Sequence, residues 1–118
     1  MGISYVQGKV RGPGGTEATV EFMIDSGAVY SLLPQDVWKA IGLEPKRDME
    51  FTLADGSHVH RLVSECHFTL PQGEGHSPVI LGEPGDNQPL LGAVTIEMLG
   101  YVFDPFQRTV HRMQVLRL

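Results

Sequence analysis

Cysteine occurs once in the chain, at position 66. A lone Cys66 cannot close an internal disulfide, which suits a cytoplasmic protein. No apolar run approaches the length of a membrane-spanning helix, so no membrane association is expected. The first residues, Met1-Gly2-Ile3-Ser4-Tyr5-Val6-Gln7-Gly8, lack a basic stretch followed by an apolar one, and no signal peptide is expected. Basic residues are scarce: nine Lys and Arg stand against fourteen Asp and Glu, a formal charge of −5 that argues against a nucleic-acid partner. The basic residues after Asp104 are Arg108, Arg112 and Arg117. They are interleaved with Val110, Met113, Val115, Leu116 and Leu118, so this tail reads as a strand and not as a flexible basic arm. A Gly-x-Ser-x-Gly elbow is missing. Gly73-Glu74-Gly75 and Gly82-Glu83-Pro84-Gly85 lack the Lys-Ser/Thr of a phosphate loop. Neither an internal repeat nor a linker is visible. With 42% hydrophobic and 19% charged residues, the 118-residue chain is expected to form one domain over residues 1–118.

Glycine and proline are plentiful, at fourteen and eight, and they punctuate short apolar stretches. Gly12-Pro13-Gly14-Gly15 separates two predicted strands, residues 3–10 and 16–24. In the second, Ala18, Val20, Phe22 and Ile24 alternate with Glu17, Thr19, Glu21 and Met23, the period of a half-buried strand. A helix is predicted over 34–41. Pro34 fits its first position, Val37, Trp38 and Ile41 give an apolar stripe, and Gly42 supplies a left-handed cap. Trp38 reads as packing. Asp55-Gly56 then centres a hairpin with arms 51–54 and 57–61, and this dipeptide favours a two-residue type I′ turn.

The alternating run 62–70 places Cys66 on its more apolar face, as a small buried hydrophobe. His67 points the other way, so the two do not form a Cys–His pair. A Gly-rich loop is expected over 71–77, a short apolar strand over 78–81 and a second loop over 83–89. Leu90-Leu91-Gly92 leads into a second helix, 93–99, stopped by Gly100. Strands over 101–103 and 108–118 follow, the last without clean alternation, which implies a bulge or burial on both faces. His58 and His60 share a strand face and, with His67, have metal-ligand chemistry. Solvent-facing strand histidines explain them better, and no metal or other cofactor is expected.

The segment Phe22-Met23-Ile24-Asp25-Ser26-Gly27-Ala28 carries the most chemistry. An acid closes an apolar strand and is followed at once by a small hydroxyl residue and a glycine. A carboxylate there sits at the strand mouth, and the glycine permits a sharp turn and close backbone approach to a ligand. Taken alone, Asp-Ser-Gly is a common turn composition.

Three segments in order make the sequence resemble the retropepsin-like aspartic proteases, the retroviral-type single-lobe members of the pepsin clan, and most closely their small prokaryotic members. Ile24-Asp25-Ser26-Gly27-Ala28 matches the family's Asp-Thr/Ser-Gly after a hydrophobic strand. Leu53-Ala54-Asp55-Gly56-Ser57 matches its glycine-tipped flap. Leu90-Leu91-Gly92-Ala93 matches the two apolar residues and glycine before its C-terminal helix. The resemblance spans residues 16–104.

What the resemblance implies is an all-β single-lobe acid-protease barrel with two short helices, acting as an aspartic endopeptidase. In such enzymes two carboxylates share a proton and hold one water, one acting as base while the other donates to the substrate carbonyl. None of the other aspartates (Asp36, Asp48, Asp55, Asp86, Asp104) is followed by Ser/Thr-Gly. The economical solution is a homodimer, with Asp25 facing its symmetry mate. The resemblance further implies that Ser26 bonds across the dimer axis and that Gly27 and Ala28 meet the substrate backbone. Ala54, Asp55, Gly56 and Ser57 would close over an extended peptide. Retroviral members carry an acid shortly after the first motif and an Arg after the second glycine. Here Val29, Tyr30 and Ala93 stand there, so the ion pair that helps fix the retroviral dimer is missing. The alternative expectation is a non-catalytic dimerisation or peptide-binding module on the same fold.

Overall fold

The computed structural model describes residues 4–25, 27–104 and 109–113. Period-two alternation builds the first hairpin. Strand β1 (Ser4–Arg11) pairs antiparallel with β2 (Glu17–Ile24), from Ser4↔Ile24 to Arg11↔Glu17. Val10, Val20 and Phe22 turn inward while Lys9, Glu17 and Glu21 stay exposed. The chain continues through β3 (Ser31–Leu33), α1 (Gln35–Ala40), β4 (Arg47–Thr52), β5 (His58–Leu70) and β6 (Gly73–Leu81). It ends with β7 (Leu90–Leu91), α2 (Ala93–Met98), β8 (Tyr101–Asp104) and β9 (Thr109–Arg112). No helix among the described residues is long and apolar enough to cross a membrane.

The main sheet runs β1-β2-β7-β3-β6-β5-β4, and β1 also pairs with β5 through Lys9↔Thr69, Val10↔Phe68 and Arg11↔His67. That extra pairing closes six of the strands into a ring, so the fold is an all-β single-lobe barrel with two short helices. Its interior holds Phe22, Leu33, Ile41, Phe68, Val79, Leu81 and Leu91, with the Phe22 and Phe68 rings 5.8 Å apart. Strands β8 and β9 pair with each other and place Tyr101 and Val110 against the core.

Strand β5 pairs with β4 and β6 over different extents. It pairs with β6 from Leu70↔Gly73 only as far as Leu62↔Leu81, but with β4 from Arg47↔Val63 to Thr52↔His58. Residues His58–Arg61 are therefore bonded to β4 alone, and the β4–β5 hairpin projects from the barrel.

Three local expectations change. The Gly-rich segment 71–77 is mostly strand: β6 begins at Gly73, leaving Pro71 and Gln72 as the turn. Its glycines mislead because pairing with the long β5 recruits them. Pro34 caps α1 from outside with an extended ψ of 157°, and the helix starts at Gln35. The flap turn is one residue longer than type I′ chemistry predicts. Gly56 N–H donates to the Leu53 carbonyl and Leu53 N–H to the Ser57 carbonyl, so Ala54 and Asp55 are the central pair. Gly56 follows them at φ +87°, the left-handed residue of a three-residue hairpin loop. The expected irregularity near the C-terminus falls largely on residues 114–118, outside the described residues.

Cys66 lies in the core, and burial pushes its thiol up to about 12. The thiolate is the reactive form. Iodoacetamide at mildly alkaline pH is therefore expected to leave the native chain unmodified and to alkylate it fully once unfolded, read by intact mass.

Candidate active site

Asp25 follows the last residue of β2, where the strand leaves the core and becomes half-buried. The neighbouring strand β7 holds this exit in place. Met23 and Ile24 pair in parallel with Leu90 and Leu91. Met23 N–H donates to the Pro89 carbonyl at 3.0 Å and Asp25 N–H to the Leu91 carbonyl at 3.2 Å. The chain then turns sharply. Gly27 N–H donates to Asp25 Oδ1 at 2.9 Å, and Ala28 N–H donates to the Asp25 carbonyl at 3.0 Å. Ser26, expected to bond across a dimer axis, lies outside the described residues.

The segment after the turn is clamped by α2. Ala93 N–H and Val94 N–H, two of the helix's otherwise unpartnered first donors, donate to the Ala28 and Val29 carbonyls at 2.9 Å each. Behind them runs a chain of buried hydroxyls. Gly92 N–H donates to Ser31 Oγ at 3.0 Å, Ser31 and Thr95 lie 2.5 Å apart, Thr95 and Ser77 lie 2.8 Å apart, and Ser77 Oγ donates to the Pro78 carbonyl at 3.1 Å. With one proton per hydroxyl, only one direction satisfies all of them: Ser31 donates to Thr95 and Thr95 to Ser77. The network locks β3, β6 and α2 together beneath the Asp25 turn.

Beside that turn opens a cleft of about 370 Å³. Gly27, Ala28, Val29 and Tyr30 form one edge, Phe51, Thr52, Leu53 and Val59 of the projecting hairpin overhang it, and Leu32, Ile80 and Leu90 are among its other apolar walls. The Tyr30 ring meets Phe51 edge-on at 5.9 Å, joining the loop after Asp25 to the hairpin. Arg61 and Asp86 are the charged residues of the lining. The Asp86 carboxyl is pushed up by burial, but the Arg61 hydrogen bond, the Glu83 N–H and the Arg61 charge together hold it below the usual carboxylate value.

The structure thus brings Gly27 and Ala28 to the cleft and sets Asp25 immediately before them. Ala54, Asp55, Gly56 and Ser57 form the exposed hairpin tip and do not line this cleft; Thr52 and Leu53 line it in their place. The tip is internally ordered, with Asp55 Oδ1 accepting from both Ser57 N–H and Ser57 Oγ. Tyr30, Phe51, Arg61 and Asp86 were not marked by any motif. Tyr30 and Phe51 could have been found as aromatics flanking the two motifs, whereas nothing local signals Arg61 or Asp86.

The histidines separate. His58 and His60 lie on the outer face of the hairpin against Glu50 and Asp48, at 3.3–3.8 Å. His67 is at the far end of β5, its ring 5.4 Å from that of His76. Among the described residues no group of three or more His, Cys, Asp or Glu is placed to hold a metal ion. Trp38 packs against the core and donates Nε1–H to the Gly82 carbonyl at 2.9 Å.

The His67 side chain is 12% exposed, and its Nδ1 has no hydrogen-bond partner among the described residues. Burial lowers its pKa below the ordinary 6.5, and Arg11 and His76 lower it further, against the opposing pull of Glu74 and Glu17. The unfolded chain then binds this proton more readily. His67 contributes full stability above about pH 6.5, and that stability is lost as pH falls through the lower folded value. Replacing His67 with Gln is expected to flatten the decline of the urea midpoint below that pH.

A family model described as "gag-polyprotein putative aspartyl protease" matches residues 14–97. Comparison with curated proteins returned no match.

Proposed function

The chain belongs to the gag-polyprotein aspartyl protease family, and from that premise we propose that it is a homodimeric aspartic endopeptidase whose dyad is Asp25 from each of two copies. The observation that carries the reading is the placement of Asp25. It is fixed by the Leu91 carbonyl at a strand mouth, next to an apolar cleft overhung by a projecting hairpin.

One chain supplies one such carboxylate, and the chemistry needs two at contact distance. Two like charges that close cannot both ionise, so the pair keeps one shared proton. The ionised Asp25 takes a proton from the bound water, whose oxygen attacks the peptide carbonyl carbon. The protonated Asp25 gives its proton to the carbonyl oxygen. Collapse of the tetrahedral adduct breaks the C–N bond: the amine leaves with the proton taken from water, and one adduct hydroxyl returns its proton to the other Asp25 as the carbonyl re-forms, restoring the shared proton. The cleft would receive an extended peptide, with mostly apolar side chains against Leu32, Ile80 and Leu90 and the flap hairpin closing from above.

A second reading keeps the peptide groove without catalysis. It is favoured by Ala93 and Val29, which cannot make the ion pair that helps hold retroviral dimers. Peptide-library cleavage across a dilution series separates the two. The enzyme reading expects cleavage whose specific activity falls on dilution, as dimers dissociate. Peptide binding without cleavage at any protein concentration would establish the second reading.

A further inference from the structure

Strands β5 and β6 part company at Leu62↔Leu81. Beyond that point β5 becomes the flap arm, and β6 runs into the loop of residues 82–89, whose Asp86 lines the cleft. Arg61 is the first residue past the fork, and its guanidinium reaches across the gap. Nε donates to Asp86 Oδ2 at 2.8 Å and Nη2 to Asp86 Oδ1 at 3.4 Å, a two-pronged pair. Nη1 donates to the His60 carbonyl at 2.9 Å and lies 3.0 Å from Glu83 Oε2. Asp86 also accepts from Glu83 N–H at 2.9 Å, so one carboxylate closes the loop on itself while holding the arginine. Both side chains are mostly buried, at 21% and 25% exposed, which limits the solvent screening that makes surface pairs weak.

The loop does not end in isolation. Its last residue, Pro89, accepts from Met23 N–H, and Leu91 two residues on accepts from Asp25 N–H. Its first residue, Gly82, donates to the Leu33 carbonyl and accepts from Trp38 Nε1. The loop is thus anchored at both ends, and the charged ties from Glu83 and Asp86 both go to Arg61 at the base of the flap.

We propose that Arg61 and Asp86 are positioning residues that couple the flap to the cleft wall, so that the fork opens and closes as one unit. The inference rests on reading the cleft as a peptide site, but the coupling itself is measurable without substrate. Hydrogen–deuterium exchange on the full chain, with wild type, Asp86→Asn, Arg61→Met and Arg61→Lys, provides the test. Asp86→Asn leaves every residue of the flap in place and weakens only its tie to the loop. It is expected to speed exchange at the flap amides of Leu53 and Gly56 by about tenfold or more, with core amides such as Phe22 and Phe68 unaffected. Arg61→Met should match it. Arg61→Lys, which keeps the charge and loses the fork, should fall between. Flap exchange that stays at the wild-type rate while loop exchange rises would overturn the coupling, as would a uniform rise over every amide. In kinetics the coupling predicts a raised KM with a smaller fall in kcat, whereas a fall in kcat alone would overturn it. If the wild type cleaves nothing, the protease reading fails, and the exchange result still decides the coupling.

Discussion

Asp25→Asn is expected to abolish peptide cleavage while leaving the fold intact. Asparagine is nearly isosteric, and its amide oxygen can still accept the Gly27 N–H that Asp25 Oδ1 accepts. The backbone bond from residue 25 to the Leu91 carbonyl does not involve the side chain at all. The thermal midpoint should therefore move little. The chemistry should not survive, because both copies lose the group that takes and returns a proton. Acid–base catalysis of this kind is worth about 10²–10⁴-fold, so the residual rate should fall at least that far.

The dyad reading makes a sharper demand than loss of activity. If each site draws one carboxylate from each copy, Asp25→Asn chains should poison wild-type chains. After equimolar mixing and re-equilibration, only about a quarter of the dimers would carry two carboxylates. That is half the number the wild-type chains form alone, so wild-type activity should fall to about half its unmixed value, read by peptide cleavage and mass spectrometry. Additive activity, with the wild-type half undiminished, would mean that one chain makes a complete site and would remove the dyad from the mechanism. Full cleavage by Asp25→Asn alone would remove Asp25 itself.

How much of this was legible beforehand follows from the range over which each signal acts. The β1–β2 hairpin was readable because burial alternates residue by residue and the turn Gly12-Pro13-Gly14-Gly15 is local. The Asp25 turn and the Leu90-Leu91-Gly92 segment were readable as motifs. They lie in adjoining strands because β2 and β7 pair in parallel, something their separation in sequence does not state. The strand character of Gly73–Leu81 was hidden because glycine is a weak strand former by itself, and only the register with β5 decides the matter. The length of the flap turn is ambiguous in the sequence, since Asp-Gly fits both a two-residue turn and the end of a three-residue loop. The Arg61–Asp86 pair had no signature: two common residues meet only after β5 and β6 diverge. The closing β1–β5 pairing is likewise a product of the whole sheet's curvature.

Gly92→Ala is expected to destabilise the chain strongly. A Cβ at this position would lie 2.4 Å from the Tyr30 carbonyl carbon, 2.5 Å from its oxygen and 2.8 Å from Ser31 N. All three are backbone atoms, so no rotamer change relieves the clash. The start of α2 must move away from residues 28–31. That movement would stretch the Ala93 and Val94 N–H bonds to the Ala28 and Val29 carbonyls and pull Gly92 N–H from Ser31 Oγ. The buried hydroxyl chain from Ser31 through Thr95 to Ser77 would lose its first donor. Overpacking of this kind costs about 1–3 kcal/mol, and a buried polar group left unpartnered adds about 1–3 kcal/mol. The control is Gly14→Ala, where an added Cβ meets nothing within 4 Å, and a near-neutral change is expected. Urea denaturation compares them directly: a large drop in midpoint for Gly92→Ala and little for Gly14→Ala. The same displacement reaches the Asp25 turn through Ala28. Cleavage per folded molecule should therefore fall as well, which separates a distorted site from a smaller folded population. A Gly92→Ala chain with the wild-type midpoint would mean that α2 does not approach the Tyr30–Ser31 backbone this closely.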